Sequence, residues 1–460
     1  MLKKYIGDKA FYRSVFAIAI PMTIQNFITN FVSLLDNIMV GQLGTAQMSG
    51  VSVVNQFVFI FSLCLVGATS GTGIFTAQFY GSNDVKGIRY TFRFKTIICL
   101  LLGVIGILVL SLAGAPLINT FLRGEGSAED IQQTLQYGLE YIPIILWGFL
   151  PQSLYFAYST TLRECGQTTV PMVSGSVAVC VNLFFNYVFI FGHFGLPAMG
   201  IRGAALATVM ARYVELFIVV WWTHKNHRKH PFIEGAYRSI YIPKPLVKKI
   251  AIKGSPLLAN EFLWAFGMTF LNQCYSTRGF NVVSATNITS TISNLSSVMI
   301  FALGATISII LGQMMGAGRP AEEIKIANQR LTALSVFLGF VFGGLLALIA
   351  FPFPKFYNTS AEIHLLSAQL ILVMAITKPA DTYMYSAYFT LRSGGKTWIA
   401  FIYDGGYIWA ITAPIVYLLS RFTDIGIVPL YTIGLCANFI KCIGAYFVIR
   451  RGNWIQNLTK

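Results

Sequence analysis

The stretch "TIICLLLGVIGILVLSLAGAPLI", Thr96–Ile118, has no charged residue in 23 positions. A helix of about 20 apolar residues crosses the hydrocarbon core of a bilayer, which is about 30 Å thick. A second stretch, "LSVFLGFVFGGLLALIAFPF", Leu334–Phe353, has the same character. Only 11% of the 460 residues are charged, against about 25% in soluble domains. Such long apolar stretches exclude a β-barrel, so we expect an all-α integral membrane protein.

The same reasoning, extended along the chain, predicts twelve transmembrane helices. The first is too long for a cleaved signal peptide and leads directly into a second apolar segment. The predicted spans are 14–40, 49–79, 94–118, 131–161, 168–191, 201–223, 246–275, 281–315, 326–351, 362–391, 397–419 and 426–449.

The distribution of positive charge predicts the orientation of these spans. With a cytoplasmic N-terminus, the cytoplasmic segments hold 25 of the 33 Lys and Arg, and the outer loops hold five. Lys and Arg concentrate on the cytoplasmic side of membrane proteins. We therefore expect a multi-pass protein of the inner or plasma membrane with both termini in the cytoplasm. The net charge of +16 then indicates contact with anionic lipid and no nucleic-acid partner.

Internal repeats predict how the spans are arranged. Three short motifs recur in the second half in the same order, at offsets of 235, 235 and 229 residues. An offset of six helices gives both halves the same orientation, as in repeats related by an axis along the membrane normal. The pairs are "AIAIP" (Ala17–Pro21) with "AIKGSP" (Ala251–Pro256), "AQFYG" (Ala77–Gly81) with "GQMMG" (Gly312–Gly316), and "TLRECGQT" (Thr161–Thr168) with "TLRSGGKT" (Thr390–Thr397).

We therefore predict two six-helix bundles related by a pseudo-two-fold axis along the membrane normal. The N-lobe covers 1–223 and the C-lobe 246–460, and a polar cytoplasmic linker, 224–245, joins them. Three linker histidines, His224, His227 and His230, are candidates for a metal tract, but we interpret them as part of a solvated loop. The seven cysteines follow no disulfide or metal-site spacing. We expect a monomer.

Charged residues inside predicted spans are functional candidates, because each costs roughly 2.5–3.5 kcal/mol to insert. Arg212 and Glu215 are three residues apart, so we expect a structural ion pair. We expect Lys441 to reach the cytoplasmic interface with its long side chain. Lys378 and Asp381 are either a self-neutralised pair or a carboxylate whose partner a cationic substrate can replace.

Three further acids, Asp36, Glu261 and Asp404, have no cationic residue within one helical turn in sequence. A carboxyl group in a medium of low dielectric tends to stay protonated near neutral pH, which suits a proton carrier. Alternatively, it binds Na⁺ together with carbonyl and amide oxygens, the ligands that hard cations prefer. Asn182 and Asn186 present two such amides on one helix face, although Asn also commonly joins membrane helices to one another.

These residues resemble the multidrug and toxic compound extrusion (MATE) family over essentially the whole chain. The first-span stretch "IPMTIQNFITNFVSLLDNIMVGQLG" has that family's proline and its acid before a glycine-bounded turn. The segments that are similar to the family's spans 4–6 and 10–11 are "TLRECGQTTVPM", "VNLFFNYVFIFG", "GIRGAALAT" and "TLRSGGKT".

The resemblance implies an antiporter that exports amphipathic, often cationic compounds and is driven by inward H⁺ or Na⁺, without a cofactor. It implies a coupling site at Asp36, with Asn182, Asn186 and Thr208 as neighbours. Asp36, Asn182 and Asn186 would hold Na⁺ if that is the ion. Some archaeal members place a second acid in span 5, where this chain has Asn, so the coupling ion stays open.

The resemblance also implies acids that face the substrate. Asp381 matches the span-10 acid of the NorM-type branch. Glu261 lies about one turn before the family's span-7 acid. Asp404 would add negative charge on the same side. We expect an apolar wall from the aromatic residues Phe27, Phe31, Trp264, Phe266 and Tyr383.

Four alternative functions fit the sequence less well. A lipid or lipid-linked oligosaccharide flippase of the same superfamily would need a cationic cavity, whereas most buried charges here are acidic. A major facilitator transporter would have a basic signature loop between spans 2 and 3, which "YGSNDVKGIRYTFRFK" does not show. An intramembrane enzyme would need a catalytic motif, and none of GxSxG, HExxH or a paired Gly-Asp protease motif occurs. A passive channel is disfavoured by the two bundle-like halves.

Overall fold

Helices make up the whole regular structure of the part of the chain that is described. The computed structural model describes residues 5–122 and 128–459, except for the side chains of residues 34, 122 and 128, and these ranges contain no strand. Of the cations that the charge distribution rested on, Lys3, Lys4, Arg123 and Lys460 lie outside the described residues.

Apart from two short 3₁₀ helices, Pro231–Ile233 and Phe353–Phe356, thirteen helices follow one another along the described chain. Those of the first half are α1 (Lys9–Gly41), α2 (Thr45–Gly81), α3 (Val85–Leu122), α4 (Ala128–Leu146), α5 (Phe149–Glu164), α6 (Thr169–Phe191) and α7 (Gly200–Lys225). Those of the second half are α8 (Lys244–Ser276), α9 (Phe280–Gly316), α10 (Ala321–Ile349), α11 (Ala361–Ser393), α12 (Thr397–Phe422) and α13 (Ile427–Arg450).

Ten of these helices are long and apolar enough to cross a membrane. The other three account for the two remaining predicted spans. Helix α8 has 33 residues but a more polar sequence. Helices α4 and α5 have 19 and 16 residues and together occupy the predicted fourth span.

The fourth span is broken, although the sequence predicts one continuous helix over 131–161. Trp147 and Gly148 form a tight turn between α4 and α5, in which the Gly148 amide donates to the carbonyl of Ile145 at 3.0 Å. Pro151 explains the position of the break. A proline has no N–H to donate, and its ring would clash with the carbonyl four residues earlier, at Trp147.

Helix α12 is also irregular. It contains two consecutive π-helical segments, Ile402–Gly406 and Ile408–Thr412, and Asp404 lies in the first. Such π segments are rare and occur frequently at functional sites.

The described residues form two compact units. The N-terminal unit holds residues 21–76 and 84–248. The C-terminal unit holds the residues up to Ile20, Ala77–Asn83 and the chain from Lys249 onward. Helices α1 and α2 therefore contribute to both units, and the division in α1 falls at Pro21. The lobe boundaries proposed from sequence, at 223 and 246, stay a prediction.

Each unit has its own apolar core. In the N-terminal unit the core includes Phe61 of α2 and Phe149 of α5, whose rings stack with centroids 4.1 Å apart. In the C-terminal unit one cluster centres on Leu370, Val416 and Leu430. A second cluster there contains Ile292, Leu346, Ile371 and Met374. Both cores consist mainly of aliphatic and aromatic side chains, as expected for packed helices.

In the C-terminal unit the end of α2 crosses the end of α9 at two equivalent glycines, which we call the glycine crossing. A Cβ on Gly81 would lie 2.0 Å from the carbonyl oxygen of Gln313. A Cβ on Gly316 would lie 1.9 Å from the carbonyl oxygen of Gln78. Only glycine permits so close an approach of two backbones. The repeated motifs "AQFYG" and "GQMMG" therefore contact each other here.

The linker after α7 folds onto α3 and is not a freely solvated loop. Arg93 of α3 donates to the carbonyl oxygens of Ala236 at 2.7 Å, Gly235 at 2.8 Å and Tyr241 at 3.0 Å. Phe232 beside these bonds is buried. No cluster of three or more His, Cys, Asp or Glu side chains suited to a metal occurs in the linker or elsewhere in residues 5–122 and 128–459.

Replacing Arg93 by Ala is expected to detach this linker. Three hydrogen bonds from a charged group to carbonyls would be lost, each worth about 1.5–3 kcal/mol. Limited trypsin digestion at Arg238 should become several times faster than in the wild type. Lys86→Ala, which changes an exposed cation on the same helix, is the matched control. Equal digestion rates for Arg93→Ala and Lys86→Ala would contradict this role of Arg93.

Candidate functional site

The predicted coupling residues of the N-terminal unit lie together. Asn186 Nδ2 of α6 donates to Asp36 Oδ1 of α1 at 2.5 Å and to Asn182 Oδ1 at 3.2 Å. Asn182 Nδ2 is 3.3 Å from the Thr208 hydroxyl of α7. With its amide turned so that the nitrogen faces Asp36, Asn182 instead donates to both carboxylate oxygens, at 2.8 and 3.2 Å. Residues of α1, α6 and α7 thus form one polar cluster around the Asp36 carboxylate.

The four-residue spacing on α6 explains this convergence. Residues four apart lie on one helix face, so Asn182 and Asn186 both point at α1, and they are 5% and 1% exposed. The oxygen Oδ1 of Asn186 is buried and has no hydrogen-bond partner. Buried polar atoms are nearly always paired in proteins. This oxygen is therefore available to a ligand beside Asp36.

Primary amides suit a carboxylate whose charge changes, because each amide carries donors and an acceptor. With the amide nitrogens toward Asp36, the ionised carboxylate is stabilised by hydrogen bonds. With the amide oxygens turned inward, the same groups accept a hydrogen bond from a protonated carboxyl group or coordinate a hard cation. A rotation of two side-chain amides adapts the site to either state.

The predicted ion pair between Arg212 and Glu215 is not formed. None of the ion pairs of the described residues joins Arg212 and Glu215. Arg212 lies against the α4–α5 break, where a Cβ on Gly148 would meet its Nη1 at 3.2 Å. Glu215 faces Tyr155 and Arg163 of α5. The two charges remain electrostatic neighbours, but no ion pair within 4.0 Å joins them.

A second polar group in this unit was not predicted from the sequence. Gln25 of α1 is buried; its Nε2 donates to Tyr155 OH at 2.8 Å, and its Oε1 accepts from Arg163 Nη2 at 2.6 Å. Gln25 precedes Asp36 by eleven residues, about three turns on one face. This spacing places Gln25 and Asp36 on one face of α1, and it is the sequence feature that could have predicted this second polar group.

In the C-terminal unit, each carboxylate oxygen of Asp404 accepts a hydrogen bond. Lys441 Nζ of α13 donates to Asp404 Oδ1 at 2.8 Å, and Asn260 Nδ2 of α8 donates to Oδ2 at 3.0 Å. The amide of Gly405 donates to Asn260 Oδ1 at 2.8 Å, so a π-helical backbone group bonds a neighbouring helix. Asp404 is 7% exposed and Lys441 is 4% exposed.

The interpretation of Lys441 from the sequence was therefore wrong. Its ammonium does not extend to the membrane interface but lies buried between Asp404 and the rings of Tyr403 and Tyr407, at 4.9 and 5.8 Å from the ring centroids. Lys441 and Asp404 are 37 residues apart on different helices. No local spacing could have indicated this pair.

The other two acids of this unit lie close to Asp404. Tyr385 of α11 has Glu261, Asp381 and Asp404 among its electrostatic neighbours. Asp381 is 4.0 Å from Lys378 Nζ, which also donates to Ser296 Oγ at 3.1 Å. Tyr385 follows Asp381 by four residues on the same helix face, a spacing that could have identified it.

The predicted aromatic residues are placed differently from one another. Phe27, Phe31 and Phe266 are exposed. Trp264 lies beside Tyr385 and so close to the three acids of the C-terminal unit. Tyr383 is half-buried.

Comparison with known proteins decides the family. The sequence model of the MatE family matches residues 21–188 and 256–418, which together exceed half of the chain. The chain belongs to the MatE family. Its two matched segments begin at Pro21 and Pro256, the prolines of the first repeated motif. Members of this family are transporters, so the MatE protein described here is a membrane transporter and not an enzyme.

Relatives of this MatE protein cover nearly its whole length. It is 25% identical to a probable multidrug resistance protein NorM of Thermotoga maritima, over 93% of this chain and 89% of the relative. It is 24% identical to a probable multidrug resistance protein YoeA of Bacillus subtilis, over 98% and 96%. It is 26% identical to a probable NorM of Shewanella oneidensis, over 97% and 95%.

Solved structures confirm the fold. A MATE crystal structure in complex with MaL6 superimposes with a TM-score of 0.85 at 18% identity, over 99% of this chain and 98% of that one. A MOP superfamily transporter from Pyrococcus furiosus, whose binding pocket is described as having reverse polarity and suggesting a different function, matches with a TM-score of 0.84 at 18% identity, over 99% and 98%. The predicted all-α membrane fold of twelve helices in two six-helix bundles is therefore confirmed.

The matched segments of the MatE protein contain most of the site. Asp36, Asn182 and Asn186 lie in the first segment, and Glu261, Asp381 and Asp404 in the second. Thr208 and Lys441 lie outside both, as does the chain after residue 418.

Proposed function

We propose that this MatE protein is a multidrug efflux transporter that exports amphipathic, often cationic compounds in exchange for H⁺ or Na⁺. The observation that supports it is the cluster of Asp36, Asn182 and Asn186, in which one intramembrane carboxylate meets two amides and one amide oxygen lacks a partner. The multidrug resistance relatives support efflux of drug-like compounds. No cofactor is needed beyond the coupling ion.

The cluster supplies the chemistry that ion coupling requires. Asp36 takes up H⁺ or Na⁺ from outside and loses its net charge, and Asn182 and Asn186 turn their amides to suit the new state. Release inside restores the carboxylate and its hydrogen bonds. Exchange follows if the ion and the exported compound stabilise different conformations of the protein, because a ligand shifts an equilibrium only by its differential affinity for the two states.

We propose that the second group of acids contacts the exported compound. Glu261 and Asp381 supply negative charge in the C-terminal unit, and Trp264 and Tyr385 beside them supply apolar surface. Asp404 already pairs with Lys441, so we assign it to holding α8, α12 and α13 together at the edge of this group. The lobe boundaries, 1–223 and 246–460, the monomeric state, the cell membrane location and the cytoplasmic termini belong to the same proposal.

Dye movement into or out of proteoliposomes tests the coupling. The purified protein is reconstituted with a fluorescent cationic dye, and a pH gradient and a Na⁺ gradient are imposed separately with the membrane potential clamped. We expect dye movement against its own gradient under one of the two ion gradients, which identifies the coupling ion. Liposomes without protein give the background rate. Movement under neither gradient would contradict antiport.

Buried lysines keep a second candidate function open, a lipid flippase of the same superfamily. Lys378 and Lys441 are 2% and 4% exposed. Because Lys441 is buried and not at the membrane interface, the interior of the C-terminal unit carries more positive charge than we expected from the sequence. The superimposable Pyrococcus furiosus transporter shows that this fold occurs with a pocket of reversed polarity. Gradient-independent movement of a fluorescent anionic lipid in the same liposomes, without dye transport, would favour this second function.

A further inference from the structure

The last residues that the structure describes are bound to the rest of the protein although they form no helix. Residues Trp454–Thr459, which we call the C-terminal segment, follow α13 without regular structure. Trp454 is 1% exposed, and none of the following five residues is in the exposed class. The last residues of a domain are usually poorly ordered unless something ties them down. The segment therefore occupies a specific binding site on the protein, which we call the seat.

Gln78, near the end of α2, is the centre of that seat. Its Nε2 donates to the carbonyl oxygen of Gln456 at 3.0 Å, and its Oε1 accepts from the amide of Leu458 at 2.7 Å. Asn457 Nδ2 donates to the carbonyl oxygen of Met315 in α9 at 3.0 Å. Gln78 is fully buried. The oxygen of its amide therefore bonds the C-terminal segment, and the nitrogen is shared between that segment and the carbonyl oxygen of Ser393 in α11, at 3.4 Å.

The seat is lined by the repeated motif "TLRSGGKT", whose sequence differs from that of its first-half copy. A Cβ on Gly394 would lie 1.7 Å from the carbonyl oxygen of Trp454, and one on Gly395 would lie 2.7 Å from the Leu458 side chain. Both glycines belong to "TLRSGGKT". In the first-half motif "TLRECGQT", Glu164 stands where the second half has Ser393, and it pairs with buried Lys95. One copy of the motif thus holds an ion pair, and the other is small enough to seat a peptide.

The seat lies directly at the glycine crossing. Gln78 and Met315 flank the contacts of Gly316 and Gly81, and residues Ala77–Asn83 are the part of α2 that belongs to the C-terminal unit. The C-terminal segment therefore binds the part of α2, Ala77–Asn83, that belongs to the C-terminal unit. The rest of the same helix belongs to the N-terminal unit.

We propose that the C-terminal segment is a releasable latch on the end of α2. While it is seated, Gln78 and the glycine crossing stay closed; when it leaves Gln78, residues Ala77–Asn83 can separate from α9. The further statement that the latch opens in each transport cycle depends on the proposed function. It places the latch on the side of the membrane that we propose to be cytoplasmic.

Cross-linking tests the latch in the folded protein. In a variant with all seven cysteines replaced, Met315→Cys and Asn457→Cys are introduced, because the Met315 carbonyl oxygen and the Asn457 side-chain nitrogen lie 3.0 Å apart, and the two thiols are joined by a short bis-maleimide. We expect efficient cross-linking and loss of dye transport. The two single-cysteine variants, treated in the same way, are matched controls and should transport normally. Unchanged transport by the cross-linked protein would overturn the latch.

A second measurement does not depend on transport. Leu458→Cys, alone in the cysteine-free chain, is labelled with a membrane-impermeant maleimide in permeabilised vesicles. We expect slow labelling that becomes severalfold faster when Gln78→Leu is added, because that change removes the amide that holds Gln456 and Leu458. Equal labelling rates would overturn the seat at Gln78. If labelling behaves as expected but the starting protein moves no dye under either gradient, the proposed antiport fails and the latch stands.

Discussion

Replacing Asp36 by Asn is expected to abolish gradient-driven dye transport while leaving the protein folded. An amide has nearly the same shape as a carboxylate but neither binds a proton at neutral pH nor offers a negative charge to Na⁺. The hydrogen bond from Asn186 at 2.5 Å can persist to the amide oxygen of the new side chain. We expect the free energy of unfolding to change by no more than about 1 kcal/mol, the net value of a typical hydrogen bond.

Initial rates of dye movement in proteoliposomes give the readout. Transport by Asp36→Asn should fall to the rate of liposomes without an imposed gradient, and a thermal-unfolding scan in detergent verifies the fold. Asp424→Asn, which neutralises an exposed acid, is the control and should transport like the wild type. An Asp36→Asn protein that still follows the ion gradient would remove the coupling role from this carboxylate.

Replacing Lys441 by Met is expected to cause the largest loss of stability among single changes in the C-terminal unit. Methionine preserves the length and apolar character of the side chain but leaves Asp404 buried without its cation. Breaking a buried ion pair by removing one partner costs about 3–5 kcal/mol. The bond from Asn260 to Asp404 at 3.0 Å offsets only part of this, because an amide carries no charge.

Thermal unfolding and yield in detergent measure this effect. The double variant Lys441→Met with Asp404→Asn should recover most of the lost stability, because it removes both charges. Lys248→Met, at an exposed position of α8, should change stability little. If Lys441 instead reached the membrane interface, as its position in sequence suggested, Lys441→Met would behave like Lys248→Met, and that result would refute the buried pair.

Most of the fold could be predicted from the sequence because its signals are local. Apolar stretches such as Thr96–Ile118 report burial in lipid directly, and the matching offsets of the repeated motifs indicate two halves. The break at Trp147–Gly148 and the π segments of α12 were not predicted. The break was missed because the continuous apolar pattern around Pro151 favours an unbroken helix. The π segments were missed because a π segment has no distinct amino-acid composition.

The site could be predicted only where its residues share a helix or an established motif. Asn182 and Asn186 are four apart, and that spacing correctly indicated one polar face. The neighbours of Asp404, Arg212 and Gln25 lie on other helices, so their partners depend on packing that no local spacing shows. Lys441 is the clearest example, since the same residue is compatible with an interfacial or a fully buried position until α12 and α13 are placed side by side.

The glycine crossing resembles an interface between two copies of one protein. Gly81 contacts Gln313 while Gly316 contacts Gln78, and each member of one pair stands 235 residues from its counterpart in the other. In a symmetric homodimer, residue i of one copy contacts residue j of the other, and j contacts i in return. A half-length ancestor would dimerise through such a crossing. Gene duplication and fusion would then retain the reciprocal contact, while the C-terminal segment, the break between α4 and α5 and the π segments of α12 depart from that symmetry.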